Sequence, residues 1–319
     1  MLVDKRSLLV LVAALGAALV AAPGGLAYSW PVKPFHRQHV IRAAFGDPRF
    51  HVGETSEISA FHFGVDIAVP DGTPVYSVEP GVVIRRHKTS VTIGRVNGHR
   101  YGYWHIRPLV RSGTYVRLHQ LIGHVIKGWG HVHFAESVNG RYRDPLRKGA
   151  LTPFVDHTAP TVDSIQIVDL ENAPVDPAHV TGIVSVSAEA FDVPPILPAA
   201  PWDVARLAPA TVRWKLTDAA GTVVASLASV SFLAGLPDSD LYDFVYAPGT
   251  YQNKAHRPGN YLYWVMHSFD TAAFADGLYQ LTAFAMDERG NTGSEVMALQ
   301  FANGVPGVTR NAATIQGHT

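Results

Sequence analysis

Nothing between Phe61 and Gly140 repeats its apolar residues at the 3.6-residue spacing of a helix; short β-type runs cut by turn signals fill the stretch instead. DIAVP (66–70) meets the turn DGTP (71–74), then VYSV (75–78) and the breaker EPG (79–81). VVIRRH (82–87) and VTIGRV (91–96) follow, and an Asn97-Gly98 hairpin turn leads into HRYGYWHI (99–106). LIGHVI (121–126) and HVHFAES (131–137) complete the series before Asn139-Gly140 turns the chain again. Runs this short and this closely joined predict a compact antiparallel β domain over residues 28–156.

At DHTAP (156–160) the habit changes. VDSIQIV, GIVSVSAEAF, TVRWKLT, TVVASLASVSF, NYLYWVMHSF, LYQLTAFAM and EVMALQF are seven strand candidates. Val212, Trp214 and Leu216 share one face and Arg213, Lys215 and Thr217 the other; Val184, Val186 and Ala188 oppose Ser185, Ser187 and Glu189 in the same way. Seven such strands predict an immunoglobulin-like β-sandwich over 157–302, with a Pro-rich loop from Asp192 to Pro201. Residues 303–319 are polar and read as a frayed tail. A length of 319 residues accords with two domains, and the fold class is mainly β.

Lys+Arg and Asp+Glu both total 26, and this balance argues against nucleic acid as a partner, whose affinity rests on basic surface. The absence of cysteine removes disulfides, thiolate nucleophiles and Cys-ligated metal, so any metal must be held by His and carboxylates. Lys5-Arg6, the apolar run Leu8–Ala22 and the small-x-small Gly25-Leu26-Ala27 make residues 1–27 an export signal. The run falls short of the roughly 20 residues that span a bilayer. An uncleaved anchor is the alternative, and stable membrane insertion after removal of the signal is not expected.

Residues 30–156 hold 11 of the 16 histidines, and two groups stand out. In HVHF (131–134), His131 and His133 point the same way if the segment is a strand. In HFGVD (62–66), the same parity places His62, Gly64 and Asp66 on one face if the segment is extended, and the missing side chain of Gly64 is then the space a metal fills. Two imidazoles and a carboxylate suit a catalytic zinc with an open fourth position. A further histidine, His105 in YGYWHIRP or one on the HVH face, can act as base or steady an oxyanion. Lone histidines are ordinarily structural; HRQH (36–39) is read so, as is DERGN (287–291), which reads as a plain hairpin turn because one Asp and one Glu are too few ligands for calcium.

The order of these landmarks resembles the M23 family of zinc metallopeptidases, the lysostaphin and LytM type that cut peptidoglycan peptides. The residues that carry the resemblance are HFGVDIAVPDGTPVYSVEPGVV, YWHI, LIGHVI and GWGHVHF, with FGDPR (45–49) upstream similar to the family's FG-x-R segment. The resemblance spans about residues 35–150. It implies a LytM-like antiparallel metallopeptidase domain, one Zn²⁺ held by His62, Asp66 and His133, and His105 and His131 as catalytic histidines. It also implies an exported enzyme of the periplasm, cell envelope or exterior acting on peptidoglycan peptides, under a regulatory protein that the sequence does not name. Two departures bear on substrate preference: Ala135 separates HVHF from Glu136, and the loop KGWG (127–130) brings Trp129 towards the groove. A catalytically silent wall-binding or regulatory scaffold is the competing expectation. The sandwich is expected to be an accessory spacer or substrate-positioning module, with an adhesion module as the other reading.

Overall fold

The computed structural model describes residues 27–52 and 57–304, so the expected signal segment and most of the expected tail lie outside the described residues. The first half contains β1 (Ile41–Ala43), β2 (Pro48–Val52), β3 (Glu57–Phe61), β4 (Val65–Ala68), β5 (Pro74–Tyr76), β6 (Gly81–Arg86) and β7 (Ser90–Gly94). It continues with β8 (His99–Trp104), β9 (Ile106–Pro108), β10 (Tyr115–Val116), β11 (Leu121–Val125), β12 (His131–Val138) and β13 (Arg141–Arg143). The main antiparallel sheet runs β1-β4-β12-β8-β7-β6-β10, with β13 also on β12; β5-β11-β9 and the β2–β3 hairpin stand apart. The runs expected in this half are present within a residue or two at their ends, except that HRYGYWHI breaks at His105 and Ile106 joins a different sheet in β9.

Strand β12 sits inside the sheet, between β4 and β8, and this placement organises the site. Val132 and Phe134 point down into a fully buried core with Val65, Ile67 and Tyr103. By the two-residue alternation of a strand, His131 and His133 must then point up, onto the opposite face.

The second half has β14 (Thr161–Val168), β15 (Ile183–Phe191), β16 (Thr211–Asp218), β17 (Val223–Ser231), β18 (Leu262–Asp270), β19 (Gly277–Met286) and β20 (Thr292–Phe301). They form two antiparallel sheets, β14-β15-β18 and β17-β16-β19-β20, with a four-residue helix α1 (Tyr242–Val245) between β17 and β18. Val212, Trp214 and Leu216 are buried while Arg213 is exposed, as the alternation requires. On β15 the polar face is not exposed: Ser185 and Ser187 are buried too, and the Ser185 hydroxyl accepts the Ser268 N–H at 3.0 Å.

The halves meet through apolar packing. Phe45 and Phe61 from the first half join the sandwich core, where the Phe61 ring lies 5.3 Å from Tyr242 and 5.9 Å from Phe232. Tyr246 donates to the Gly46 carbonyl at 2.7 Å, and the Ala208 N–H donates to the buried Asp47 carboxylate at 2.7 Å. These contacts bring loops of the sandwich against the upper face of the main sheet.

Candidate active site

Register delivers the first two ligands. Residue pairing sets Asp66 of β4 directly opposite His133 of β12, on one face of the sheet. His62 arrives differently. Residues 62 and 63 lie between β3 and β4 and the chain bends at Gly64, so the extended HFGVD assumed from parity is not what forms. His62 is held instead by its own Nδ1–H, which donates to the Ala44 carbonyl at 2.7 Å. That bond leaves Nε2 as a bare acceptor aimed at the other two residues.

Gly64 needs its missing side chain for a different reason from the one expected. A Cβ there would lie 2.3 Å from the Phe134 carbonyl oxygen and 2.9 Å from His133 Nε2. The glycine allows the bend to close against β12, and no vacant space for an ion lies beside it.

Three ligand-capable atoms converge. His62 Nε2 lies 3.1 Å from Asp66 Oδ1 and 2.8 Å from His133 Nδ1, and His133 Nδ1 lies 3.0 Å from Asp66 Oδ1. All three residues are buried or nearly so. Burial pushes the His62 imidazole down to about 3, and the nearby Arg49 lowers it further, so the ring is neutral at neutral pH. Burial works against the Asp66 charge too, but the surrounding imidazoles and their hydrogen bonds outweigh it and hold the carboxyl well below its usual range. Two imidazoles and one carboxylate, with ligand atoms brought to one point, are a donor set that fits a divalent metal and suits zinc.

His131 and His105 complete the face. His131 Nε2 lies 3.5 Å from Asp66 Oδ1. Its Nδ1 lies 2.7 Å from the Trp129 carbonyl and 2.5 Å from Arg42 Nη2, which also donates to that carbonyl at 3.2 Å. With Nδ1–H donated to the Trp129 carbonyl, Nε2 is bare and available as a base; after it takes a proton the ring is an imidazolium that keeps Nδ1–H on the carbonyl and presents Nε2–H as a donor.

His105 sits in the break between β8 and β9 with φ of 62°, a conformation uncommon outside glycine. Its ring stacks on Trp129 at 3.6 Å and lies 4.6 Å from the His131 ring. Burial lowers both residues, His105 to about 3. His105 thus stays neutral well below the ordinary histidine value of about 6.5, and His131 is shifted in the same direction.

The structure brings all five expected residues to one cavity of about 440 Å³ and adds four that sequence reasoning gave no role. Arg49 donates to Asp66 Oδ2 at 3.3 Å and lies 3.6 Å from Asp47, fixing the ligand carboxylate from behind. Arg42 bonds as above. From the sandwich come Trp202, whose ring lies 4.2 Å from the Arg42 guanidinium carbon, and Gln252, which accepts the Phe50 N–H at 3.0 Å. FGDPR was the one sequence signal for Arg49; Arg42, Trp202 and Gln252 had none. Glu136 turns to the core face, where it takes Arg147, Tyr28 and His99, so the shift past Ala135 moves it off the site.

The profile of Peptidase family M23 matches residues 60–145. Residues 60–145 are a peptidase family M23 domain. Similar solved structures include a zinc containing peptidase from Vibrio cholerae, 29% identical, covering 37% of this chain and 39% of that one at a TM-score of 0.31. Helicobacter pylori Csd3 is 28% identical, covering 41% and 36% at 0.32. The catalytic domain of the prophage-encoded M23 protein EnpA from Enterococcus faecalis is 24% identical, covering 38% and 98% at 0.29. The chain thus spans under two fifths of the first two relatives. No curated protein matches. The M23 span contains all five histidine and aspartate positions, whereas Arg42, Arg49, Trp202 and Gln252 lie outside it.

A second buried group lies away from this cavity. Asp156, Asp192 and Asp287 bring carboxylate oxygens within 4.8 Å of one another. The DERGN turn, counted alone, offered too few acids; the fold adds one from DHTAP and one from the start of the Pro-rich loop.

Proposed function

We propose that the chain is an exported zinc metalloendopeptidase that hydrolyses stem or cross-bridge peptides of bacterial peptidoglycan. The observation carrying this reading is the convergence of His62 Nε2, Asp66 Oδ1 and His133 Nδ1 within 3.1 Å, with two more neutral imidazoles beside them. A zinc ion held there would supply Lewis acidity and lower the pKa of water towards neutrality.

The chain's own groups supply the rest. His131, with Nδ1–H on the Trp129 carbonyl, presents Nε2 to take a proton from the attacking water. Once that proton is on the ring, Nε2–H is a donor on the same face. His105, held flat by Trp129, stands one ring further out, placed to steady the developing oxyanion. Arg49 keeps Asp66 ionised and oriented. The presence of both His105 and His131 with a full ligand set favours turnover over a silent scaffold, since a scaffold has no use for either.

Export rests on the charged, apolar and small-residue pattern of residues 1–27. Among the described residues no helix is long and apolar enough to cross a membrane. The substrate assignment is tested by mass analysis of muropeptides released from purified walls. Zinc-dependent release of peptide fragments by wild type and none by His133→Ala is expected. A wild type that holds zinc yet releases nothing sinks the reading.

A further inference from the structure

The face of the main sheet that carries the metal ligands does not end at them. Pairing places Asp66, His133, Trp104 and Ser90 in one row across β4, β12, β8 and β7. The next row on the same face holds Ala135, Gly102, Thr92 and Arg85, and the third holds Tyr142, Ser137, Arg100 and Gly94. Rows two residues apart are roughly 6.5–7 Å apart, so the third row lies about 13 Å from the ligands.

Where it crosses β12 and β8 the middle row carries only Ala135 and Gly102. Gly102 is bare because the Trp104 indole lies over it; a Cβ there would come within 2.2 Å of that ring. The result is a trough of about 400 Å³ floored by Gly102, Ala135 and Ser137 and walled by Trp104 and Tyr142. Phe63 packs against both wall rings, at 5.2 Å from Trp104 and 4.8 Å from Tyr142, and also lines the metal cavity. Trough and cavity therefore share Trp104 as a common wall.

The charge in this trough is one-sided. Arg85 and Arg100 line it, and no carboxylate does. Three other arginines of this half are held in ion pairs, Arg95 with Glu79, Arg147 with Glu136 and Arg49 with Asp66. Among the described residues Arg85 and Arg100 have no ion pair. Residues 28–156 carry 17 Lys+Arg against nine Asp+Glu, so the chain's zero balance conceals a basic first half.

We propose that the trough is a carboxylate-reading subsite of the peptide groove, with Arg85 and Arg100 as its anion anchors. The inference rests on the peptidase reading and names the kind of peptide it takes. A guanidinium fork matches a carboxylate with two parallel hydrogen bonds, and the ring walls hold the stem that carries it. A floor of glycine, alanine and serine admits an extended backbone. At about 3.3 Å per residue, 13 Å places the recognised carboxylate about four residues from the bond cleaved.

The test uses the full chain loaded with zinc and pairs of soluble peptides that differ only in a Glu or Gln about four residues to either side of the scissile bond. Wild type should prefer one Glu peptide by about five- to tenfold in kcat/KM, the scale of a charged hydrogen bond at an open site. The double variant Arg85→Gln/Arg100→Gln should lose that preference through KM, with kcat on the Gln peptide unchanged. A preference that survives in the double variant, or a wild type that cleaves both peptides equally, overturns the subsite. If neither peptide is cleaved, the peptidase reading is what fails, and binding of the same pairs to the metal-free chain by Trp fluorescence decides the subsite separately. Tighter binding of the Glu peptide to wild type alone supports it, and equal binding overturns it.

Discussion

Among the described residues two buried groups of side chains could each hold a metal, and they are built on opposite terms. In the M23 domain one carboxylate, Asp66, meets imidazoles and Arg49, and its carboxyl is held well below the usual range. Asp156, Asp192 and Asp287 bring three carboxylates together; backbone N–H groups and the Asn291 amide donate to them, and none forms an ion pair among the described residues. There burial pushes Asp192 up to about 7, with Asp156 and Asp287 adding to the effect. Burial raises both carboxyls; around Asp66 the imidazoles outweigh it, whereas around Asp192 it prevails and the like charges of Asp156 and Asp287 add to it. The first cluster stays ionised and aimed, as a metal site must. In the second, burial sets Asp192 and Asp156 against ionisation.

The sharpest way to break this contrast is to neutralise one aspartate in each cluster. Asp66→Asn should lower peptidase activity by about 10³-fold or more, the scale of losing a member of a catalytic unit, and should empty the metal site. Elemental analysis of the purified variant reads the second effect directly. Asp192→Asn should leave metal content and turnover where they were. Loss of metal from Asp192→Asn, or its retention in Asp66→Asn, would dissolve the distinction. One step smaller is Arg49→Ala, which removes the group behind Asp66. Zinc affinity should fall about 10- to 100-fold in a chelator competition, the usual cost of losing an outer partner of a metal ligand. Unchanged affinity would mean that His62 and His133 orient the carboxylate without help.

The contrast also marks what a sequence can disclose. His62 with Asp66, and His131 with His133, are close in the chain, so their spacing is visible before any fold is known. His105 stood out as the end of an aromatic run, and its left-handed φ is the break that spacing could only hint at. Strands of the sandwich were legible where alternation is strict, as along Val212, Trp214 and Leu216. The three acids of the second cluster are 36 and 95 residues apart, and only the fold adds them up. Arg42 and Trp202 are single residues from different halves, and no local pattern links them. The misjudged element was HFGVD, whose parity assumed an extended strand where the chain bends at Gly64. The β2–β3 hairpin escaped notice for a related reason, since its residues alternate too loosely to mark strands.

Cross-domain support for the site gives the next test. The Arg42 guanidinium lies over Trp202 and reaches His131, so the sandwich touches the chemistry through one stacked cation. Trp202→Ala should lower kcat by about 2- to 30-fold, the range expected from losing a cation–π contact of about 0.5–2 kcal/mol. Trp202→Phe should restore most of the loss, and metal content should not change in either variant. An equal loss in the Phe variant would show that Trp202 acts by packing between the halves and not through Arg42.

The smallest effect, on stability alone, concerns the sign of the Asp192 shift. A carboxyl whose folded pKa lies near 7 and whose unfolded value is about 3.9 binds its proton more tightly when folded. The native state then holds more protons than the unfolded one between those values, so this group's contribution to stability falls as pH rises through that window. Asp192→Asn removes the penalty and keeps an oxygen for the Val193 N–H, which Asp192 Oδ1 now accepts at 2.8 Å. With a chelator present, thermal unfolding at pH 8 should shift upward by about 1–2 °C, equivalent to about 1 kcal/mol for a chain of this size. At pH 4, where the carboxyl is already protonated in the native state, the shift should vanish. A shift of equal size at both values would show that the substitution acts through packing, and that the cost of ionising Asp192 is not what sets the second cluster apart from the first.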